Sequence, residues 1–126
     1  MVRKKYFDCS RYCVEAKSTF LSALVELEKK PEIKENESIA VKITINPAGH
    51  VYQHPCQVRW YLPDGWTVSG KKDLHIHRFY HYAEIYNVGN YVITAGEKVA
   101  ASNHVVLEVQ PVGRTESVFV SFNILG

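Results

Sequence analysis

The chain has 126 residues, of which 46% are hydrophobic and 12% aromatic, which suits one domain with its own core. Fifteen Lys and Arg against thirteen Asp and Glu give a formal net charge of +2, too small to indicate a nucleic-acid partner. No apolar run approaches the ~20 residues of a membrane span, and the first residues lack the apolar core of a signal peptide. We therefore expect a cytoplasmic protein with neither a nucleic-acid nor a membrane partner.

The first segment of the chain, residues 1–16, is charged and aromatic without a clear hydrophobic period. We interpret it as a lead-in from an upstream region and place the folded domain at residues 17–126. Within residues 17–30 two interpretations compete. Alternation of Leu21 and Val25 with polar neighbours favours a strand, whereas the good helix formers also fit a helix. We favour a strand, because every later segment has strand character.

The rest of the chain consists of short runs that alternate apolar and polar residues, separated by turn-forming residues. Strands are predicted at 39–46, 56–62, 74–86 (as one or two), 91–94, 105–109 and 118–124. Turns are predicted at 46–49, 63–65, 87–90, 95–98 and 111–114. Seven or eight short strands without long helical crossovers predict an all-β antiparallel sandwich or barrel.

The most informative stretch is 57–70, in which an alternating strand leads into a Pro-Asp-Gly turn followed by a second Trp. Trp60 falls on the same strand face as Val58, so we expect its ring in the core. Gly65 is expected to have a positive φ, because glycine tolerates that conformation in a turn. We expect Trp66 to fold back on the sheet edge.

Three cysteines, Cys9, Cys13 and Cys56, give an odd count without repeated spacing, which argues against a disulfide framework. Cys9 and Cys13 form a C-x₃-C pair, but the sequence has no second pair to complete a zinc site. We interpret the thiols as structural or incidental.

Four residues are candidate metal ligands. His75 and His77 share one strand face about 7 Å apart, and the order His75, His77, Glu84, His104 resembles the two metal motifs of cupins. The His-to-Glu spacing is longer than in cupins, and the Pro-x-Gly before the late His is absent. We favour polar residues on a solvent-facing surface over a transition-metal site, and expect neither a metal nor another cofactor.

Aromatic side chains are a further candidate feature. Trp66, Tyr80 and Tyr82 could face a ligand, as aromatic rings stack on sugars in carbohydrate-binding modules, with sheet packing as the alternative. Catalytic patterns are weak, since the sequence lacks paired carboxylates, a Gly-x-Ser-x-Gly elbow and a glycine-rich phosphate loop. We therefore expect that this chain alone is not an enzyme.

Residues 62–68, Leu-Pro-Asp-Gly-Trp-Thr-Val after an alternating strand, resemble the Leu-Pro-x-Gly-Trp signature of NPCBM-associated (alpha-galactosidase-associated) immunoglobulin-like accessory domains. The resemblance covers residues 31–126. The ending, residues 103–109 followed by Gly113, Arg114 and a last strand, is similar to the C-terminal β-sandwich of long bacterial ADP-ribosylglycohydrolase-like proteins.

This resemblance implies an immunoglobulin-like β-sandwich that serves as a non-catalytic accessory module at the C-terminal end of a larger hydrolase. The catalytic domain of such proteins is helical and holds two magnesium ions with clustered acidic residues, which this sequence lacks. The implied partner is an upstream catalytic domain of the same polypeptide, with roles in domain packing, substrate presentation or homodimerisation. A small cupin-like metal enzyme and a carbohydrate-binding module are the alternatives.

Overall fold

The computed structural model describes residues 12–47, 53–77 and 87–126, with the side chains of Gln53 and His77 outside the description. Nine strands lie in these ranges. In chain order they are β1 (Cys13–Lys17), β2 (Leu21–Leu27), β3 (Ser38–Pro47), β4 (Gln53–Tyr61), β5 (Thr67–Gly70), β6 (Asp73–His77), β7 (Val88–Thr94), β8 (Ser102–Pro111) and β9 (Val118–Leu125). Within the same ranges, a search for a helix with the length and hydropathy of a membrane span finds none.

The strands form two antiparallel sheets that pack face to face. The five-stranded sheet has the order β1-β2-β3-β7-β5, and the four-stranded sheet has the order β6-β4-β8-β9. This arrangement is an all-β, immunoglobulin-like sandwich, which confirms the predicted fold class. The strand count exceeds the seven or eight expected, because β1 and β5 were not counted among the predicted strands.

The core between the sheets follows from the two-residue period of the strands. In β9, Val118, Val120, Phe122 and Ile124 are buried while their neighbours are exposed. β3 has the same pattern, with inward Ile39, Val41, Ile43 and Ile45. A one-residue slip of either strand would expose its whole apolar set, so the alternation fixes the register.

The structure corrects two sequence interpretations, namely where the folded domain begins and the turn predicted at residues 87–90. Residues 17–30 contain strand β2, as favoured, and β1 pairs with it from Cys13, inside the segment interpreted as a lead-in. The turn predicted at 87–90 is wrong, since β7 begins at Val88 and pairs with β3. The glycine at position 89 is a requirement of packing and not of a turn. A Cβ there would lie 2.7 Å from Cε1 of Tyr91, whose ring occupies that space.

The turn between β4 and β5 has the predicted glycine conformation. The amide of Trp66 donates to the carbonyl of Pro63 at 3.1 Å, and Gly65 has φ of 85°. Pro63 is therefore the first residue of the turn. Trp66 then enters the core, where only 6% of it is exposed and its Nε1 donates to the carbonyl of Lys98 at 3.1 Å.

The chain crosses from one sheet to the other directly after β5. Gly70 ends β5 opposite Tyr91 of β7, and Asp73 begins β6 opposite Gln57 of β4. Gly70 has φ of 145°, and a Cβ on it would collide with the Tyr91 ring. Glycine is required at this crossing for both reasons.

Trp60 and Cys56 lie on the inner side of β4. Trp60 is half-buried and packs against the core, with its ring 5.4 Å from that of Tyr91 at an interplanar angle of 61°. The ring therefore faces inward, as expected. Cys56 is fully buried, and this burial raises the pKa of its thiol to about 12.

Replacement of Gly65 tests the turn. Gly65→Ala should lower the free energy of unfolding by about 1–2 kcal/mol, because an L residue rarely adopts its φ of +85°. A Cβ there meets no atom within 4 Å, so backbone strain is the only cost. Gly65→Asn, which tolerates this conformation better, is the matched variant and should cost less. Urea denaturation measures both, and an unchanged Ala variant would contradict the turn.

Candidate functional site on the outer face of the four-stranded sheet

The outer face of the four-stranded sheet carries a row of polar and aromatic side chains. Strand register places Arg59 of β4 directly opposite Glu108 of β8, and Glu108 opposite Phe119 of β9. Tyr61 lies two residues along β4 from Arg59, so it projects from the same face. The alternation that fills the core therefore also brings these four residues together outside it.

Glu108 is buried although it lies on the outer face, with only 9% of the residue exposed. Its Oε1 accepts a hydrogen bond from the Tyr61 hydroxyl at 2.7 Å, and its Oε2 accepts one from Ser117 Oγ at 2.7 Å. Arg59 Nη1 lies 3.5 Å from Oε2. A carboxylate removed from water is stable here because both oxygens have donors.

Arg59 is held by more than its ion pair. Its Nη1 donates to Gln110 Oε1 at 2.8 Å, and its Nη2 donates to Gln57 Oε1 at 2.7 Å. Gln110 Nε2 in turn donates to the carbonyl of Arg114 at 2.9 Å. The guanidinium is thereby fixed in one orientation on the sheet before any partner binds.

The network also sets the protonation states. The hydrogen bonds from Tyr61 and Ser117, aided by the charge of Arg59, hold the pKa of Glu108 below its usual value. The bond to Glu108 raises the pKa of Tyr61 above its usual value. At neutral pH the carboxylate is therefore ionised and the phenol is protonated, which suits fixed recognition groups better than a proton-transfer pair.

Two aromatic side chains on this face remain open to solvent. Tyr61 is 51% exposed and Phe119 is 57% exposed. Tyr61 lies beside Arg59 along β4, and Phe119 lies beside Glu108 on β9. Tyrosine, phenylalanine and arginine are enriched at the centres of protein interfaces. This group, with the ordered network between its rings, has the composition of a docking surface.

The sequence analysis did not predict this network. Glu108 lies between Leu107 and Val109 in an apolar strand, and its position alone predicts an ordinary exposed carboxylate. Its partners are 47 residues away at Tyr61 and nine away at Ser117. The available signal was the alternation that places Arg59 and Tyr61 outward, but the register that joins β4 to β8 is not visible in the sequence.

The candidate metal ligands are not brought together as the sequence interpretation requires. His75 and His104 lie in one sheet, but His75 is opposite Pro55 while His104 is near the other end of β8. His104 lies seven positions along β8 from Pro111, the partner of Cys56, and His75 lies one position further along and two strands away. The Cα atoms of His75 and His104 are therefore about 25–30 Å apart. His104 Nδ1 instead lies 3.0 Å from Asn123 Oδ1.

The side chains of the other two candidate metal ligands, His77 and Glu84, lie outside the description. His77 pairs through its backbone with Gln53, and Glu84 lies outside the described residues. Across residues 12–47, 53–77 and 87–126, no group of three or more His, Cys, Asp or Glu side chains is placed to hold a metal ion.

Of the three aromatic side chains predicted to face a ligand, the structure describes only Trp66. Trp66 is wrong as a ligand-facing ring, because it is buried in the core and its indole nitrogen is already bonded to Lys98. The Pro-Asp-Gly turn directs it inward, which the sequence did not distinguish from a position over the sheet edge. Tyr80 and Tyr82 lie outside the described residues.

Comparisons with known proteins report on the fold. No protein-family model matches the chain, and no curated protein matches it. Among solved structures, a FixG-related protein from Vibrio parahaemolyticus is similar with a TM-score of 0.62 and 7% identity, over 83% of this chain and 94% of that one. A conjugative transposon lipoprotein from Bacteroides eggerthii is similar with a TM-score of 0.55 and 10% identity, over 79% and 93%. At these identities the similarity establishes a shared sandwich fold and no shared activity.

The acid limb of the stability profile tests the Glu108 network. Because the pKa of Glu108 is lower in the folded than in the unfolded chain, its stabilising contribution is present above the unfolded pKa and is lost as pH falls through the folded pKa. Glu108→Gln lacks this contribution. The difference in unfolding free energy between the two proteins should therefore be largest near neutral pH and shrink below about pH 4.

Urea denaturation at a series of pH values measures this difference. Tyr61→Phe and Ser117→Ala each remove one donor, so each should show a weaker pH dependence than the parent chain. Parallel pH profiles for the parent and Glu108→Gln would contradict the network.

A metal analysis tests the histidine interpretation. The separation of His75 from His104 leads us to expect that the purified chain holds no stoichiometric transition metal, since ligands must converge within about 2.0–2.3 Å of one point. Elemental analysis after dialysis against zinc, nickel or manganese measures this. Near one equivalent of metal, lost in a His75→Ala/His77→Ala variant and kept in His104→Ala, would overturn the expectation.

Proposed function

We propose that this chain is a non-catalytic accessory β-sandwich module that docks on another protein domain through the outer face of its four-stranded sheet. The observation that supports this is the pair of exposed rings, Tyr61 and Phe119, flanking an Arg59–Glu108 pair that is already ordered. Apolar rings supply contact area, and the fixed charged groups between them supply specificity.

The order within the network favours a protein partner. Holding Arg59 by Gln57 and Gln110 before binding reduces the side-chain entropy that docking would otherwise cost. The face is also built from regular strands, so its side chains have fixed spacing. A preorganised sheet face of this kind suits a partner surface of comparable size, about 800 Å² on each side for a standard interface.

A finer proposal concerns which domain is bound. The Leu-Pro-Asp-Gly-Trp signature and the C-terminal pattern support an all-helical catalytic domain of the ADP-ribosylglycohydrolase-like kind, encoded upstream in the same polypeptide. In this proposal hydrolysis belongs to that domain, which supplies the acidic residues and magnesium ions. The present chain positions the domain or helps present its substrate.

Hydroxyl-radical footprinting tests the docking proposal. The probe is a polypeptide in which the proposed upstream domain precedes this chain, compared with the present chain alone. We expect Tyr61 and Phe119 to be oxidised more slowly in the longer polypeptide. Val92, which is 39% exposed on the outer face of the five-stranded sheet, is the internal control and should be oxidised equally in both.

Variants separate docking from folding. Tyr61→Ser/Phe119→Ser should weaken binding of the present chain to the isolated upstream domain by about tenfold or more, and Val92→Thr should not. Equal oxidation of Tyr61 and Phe119 in both polypeptides would contradict docking through this face. A reading frame without an upstream domain would contradict the same-polypeptide partner.

A further inference from the structure

A cleft of about 670 Å³ opens between β4 of one sheet and β5 and β7 of the other. Its inner walls are apolar and aromatic, formed by Val58 and Trp60 from β4, Val68 from β5 and Tyr91 from β7. The volume falls within the range of small-molecule sites.

The cleft exists because the chain changes sheets at its rim. The amide of Val58 donates to the carbonyl of Lys72 at 2.9 Å, and pairing between β4 and β6 covers only the residues before it. Residues two apart in a strand direct their backbone groups to the same side, so the backbone of Trp60 faces the opening that follows. Within the described residues, no strand therefore pairs with β4 beside Trp60, and the gap between the two sheets is open there.

Among the described residues, two buried polar atoms on side chains that line this cleft have no hydrogen-bond partner. They are Nε1 of Trp60 and the hydroxyl oxygen of Tyr91. Tyr91 is only 3% exposed, and its ring contacts that of Trp60 edge to face. A buried donor without an acceptor costs free energy, which an incoming acceptor would recover.

Tyr91 is held in place with its hydroxyl group as a donor. Gly70 and Gly89 lie beneath its ring, and a Cβ on Gly89 would be 2.9 Å from the hydroxyl oxygen. Burial, together with the negative charge of Asp73, raises the pKa of Tyr91 to about 12. The phenol is therefore protonated at neutral pH and can donate, as can the indole of Trp60.

The mouth of the cleft carries more positive than negative charge. Among the described residues, Lys72 and Lys71 line it together with the carboxylate of Asp73. Arg59 also lines it, but its charge is compensated by Glu108. Two buried neutral donors on residues that line an apolar cleft, with cationic side chains at the entrance, favour an anionic oxygen acceptor on a flat apolar body.

We propose that this cleft binds a small organic monocarboxylate with a planar apolar body. Its carboxylate accepts hydrogen bonds from Trp60 Nε1 and the Tyr91 hydroxyl, its body packs against the aromatic walls, and Lys72 supplies long-range attraction. Arg59 and Gln57 line this cleft and also belong to the network on the outer face. The proposed ligand contacts are to Trp60 and Tyr91, so this proposal does not rest on the docking proposal.

The indole resonances of the chain provide a direct test with sodium benzoate as the probe. The chain has two Trp residues, so a ¹⁵N-labelled sample shows two indole N–H signals. The indole of Trp66 is already bonded to Lys98 and is the internal control. We expect benzoate to shift the Trp60 signal saturably and to leave the Trp66 signal unchanged, whereas benzamide, its neutral analogue, should bind more weakly.

Variants test the assigned roles. Tyr91→Phe keeps the ring on its glycines and removes only the hydroxyl, so it should weaken benzoate binding by about tenfold while the unfolding midpoint is not lowered. Lys72→Gln should also weaken binding, and Asp73→Asn should strengthen it, because it removes a like charge. Val92→Thr, on the outer face of the five-stranded sheet, is the control and should leave benzoate affinity unchanged.

Three results would overturn the proposal. The first is a Trp60 signal that does not shift in a saturable way with benzoate. The second is benzamide binding as tightly as benzoate, which would exclude the carboxylate class. The third is an ordered water that shows cross-peaks to the Trp60 indole and is not displaced by benzoate, which would make the cleft a hydration site only.

Discussion

The passage of the chain from one sheet to the other at Gly70 is the constraint on which much of this structure depends. The backbone there has φ of 145° and lies against the Tyr91 ring, so no other residue fits without strain. Because the crossing comes this early, β5 remains beside β7 while β6 starts beside β4 only three residues later. Within residues 12–47, 53–77 and 87–126, the second half of β4 has no strand neighbour on that side, and the aromatic cleft opens there.

Two buried polar groups, the carboxylate of Glu108 and the hydroxyl of Tyr91, differ in whether hydrogen bonds satisfy them. Glu108 is charged and fully satisfied by donors from three side chains, so its region is rigid and set for recognition. Tyr91 is neutral, and its hydroxyl group is left without an acceptor. A satisfied network stabilises the fold, whereas an unsatisfied donor costs stability, and such costs tend to be retained where a ligand recovers them.

The alternating strands could be predicted from the sequence because burial on one face imposes a period of two. This applies to β3, β8 and β9, and the Pro-Asp-Gly turn was also correct in detail at Gly65. Gly89 was misassigned because Asn and Gly favour turns locally, while the space needed by the Tyr91 ring is a tertiary requirement. β1 has little periodicity, since its outer position at the sheet edge buries few of its residues, and pairing with β2 specifies it. The outer-face network around Arg59 and Glu108 could not be predicted, because residues in β4, β8 and β9 meet only through register.

The burial of Cys56 makes this thiol an internal reporter of how often the sandwich opens. With its pKa raised to about 12, almost none of it is in the nucleophilic thiolate form at neutral pH, and its full enclosure excludes alkylating reagents. Modification of Cys56 by iodoacetamide can therefore proceed only from conformations in which β4 has separated from the opposite sheet. The labelling rate would measure the free energy of that opening at equilibrium without denaturant.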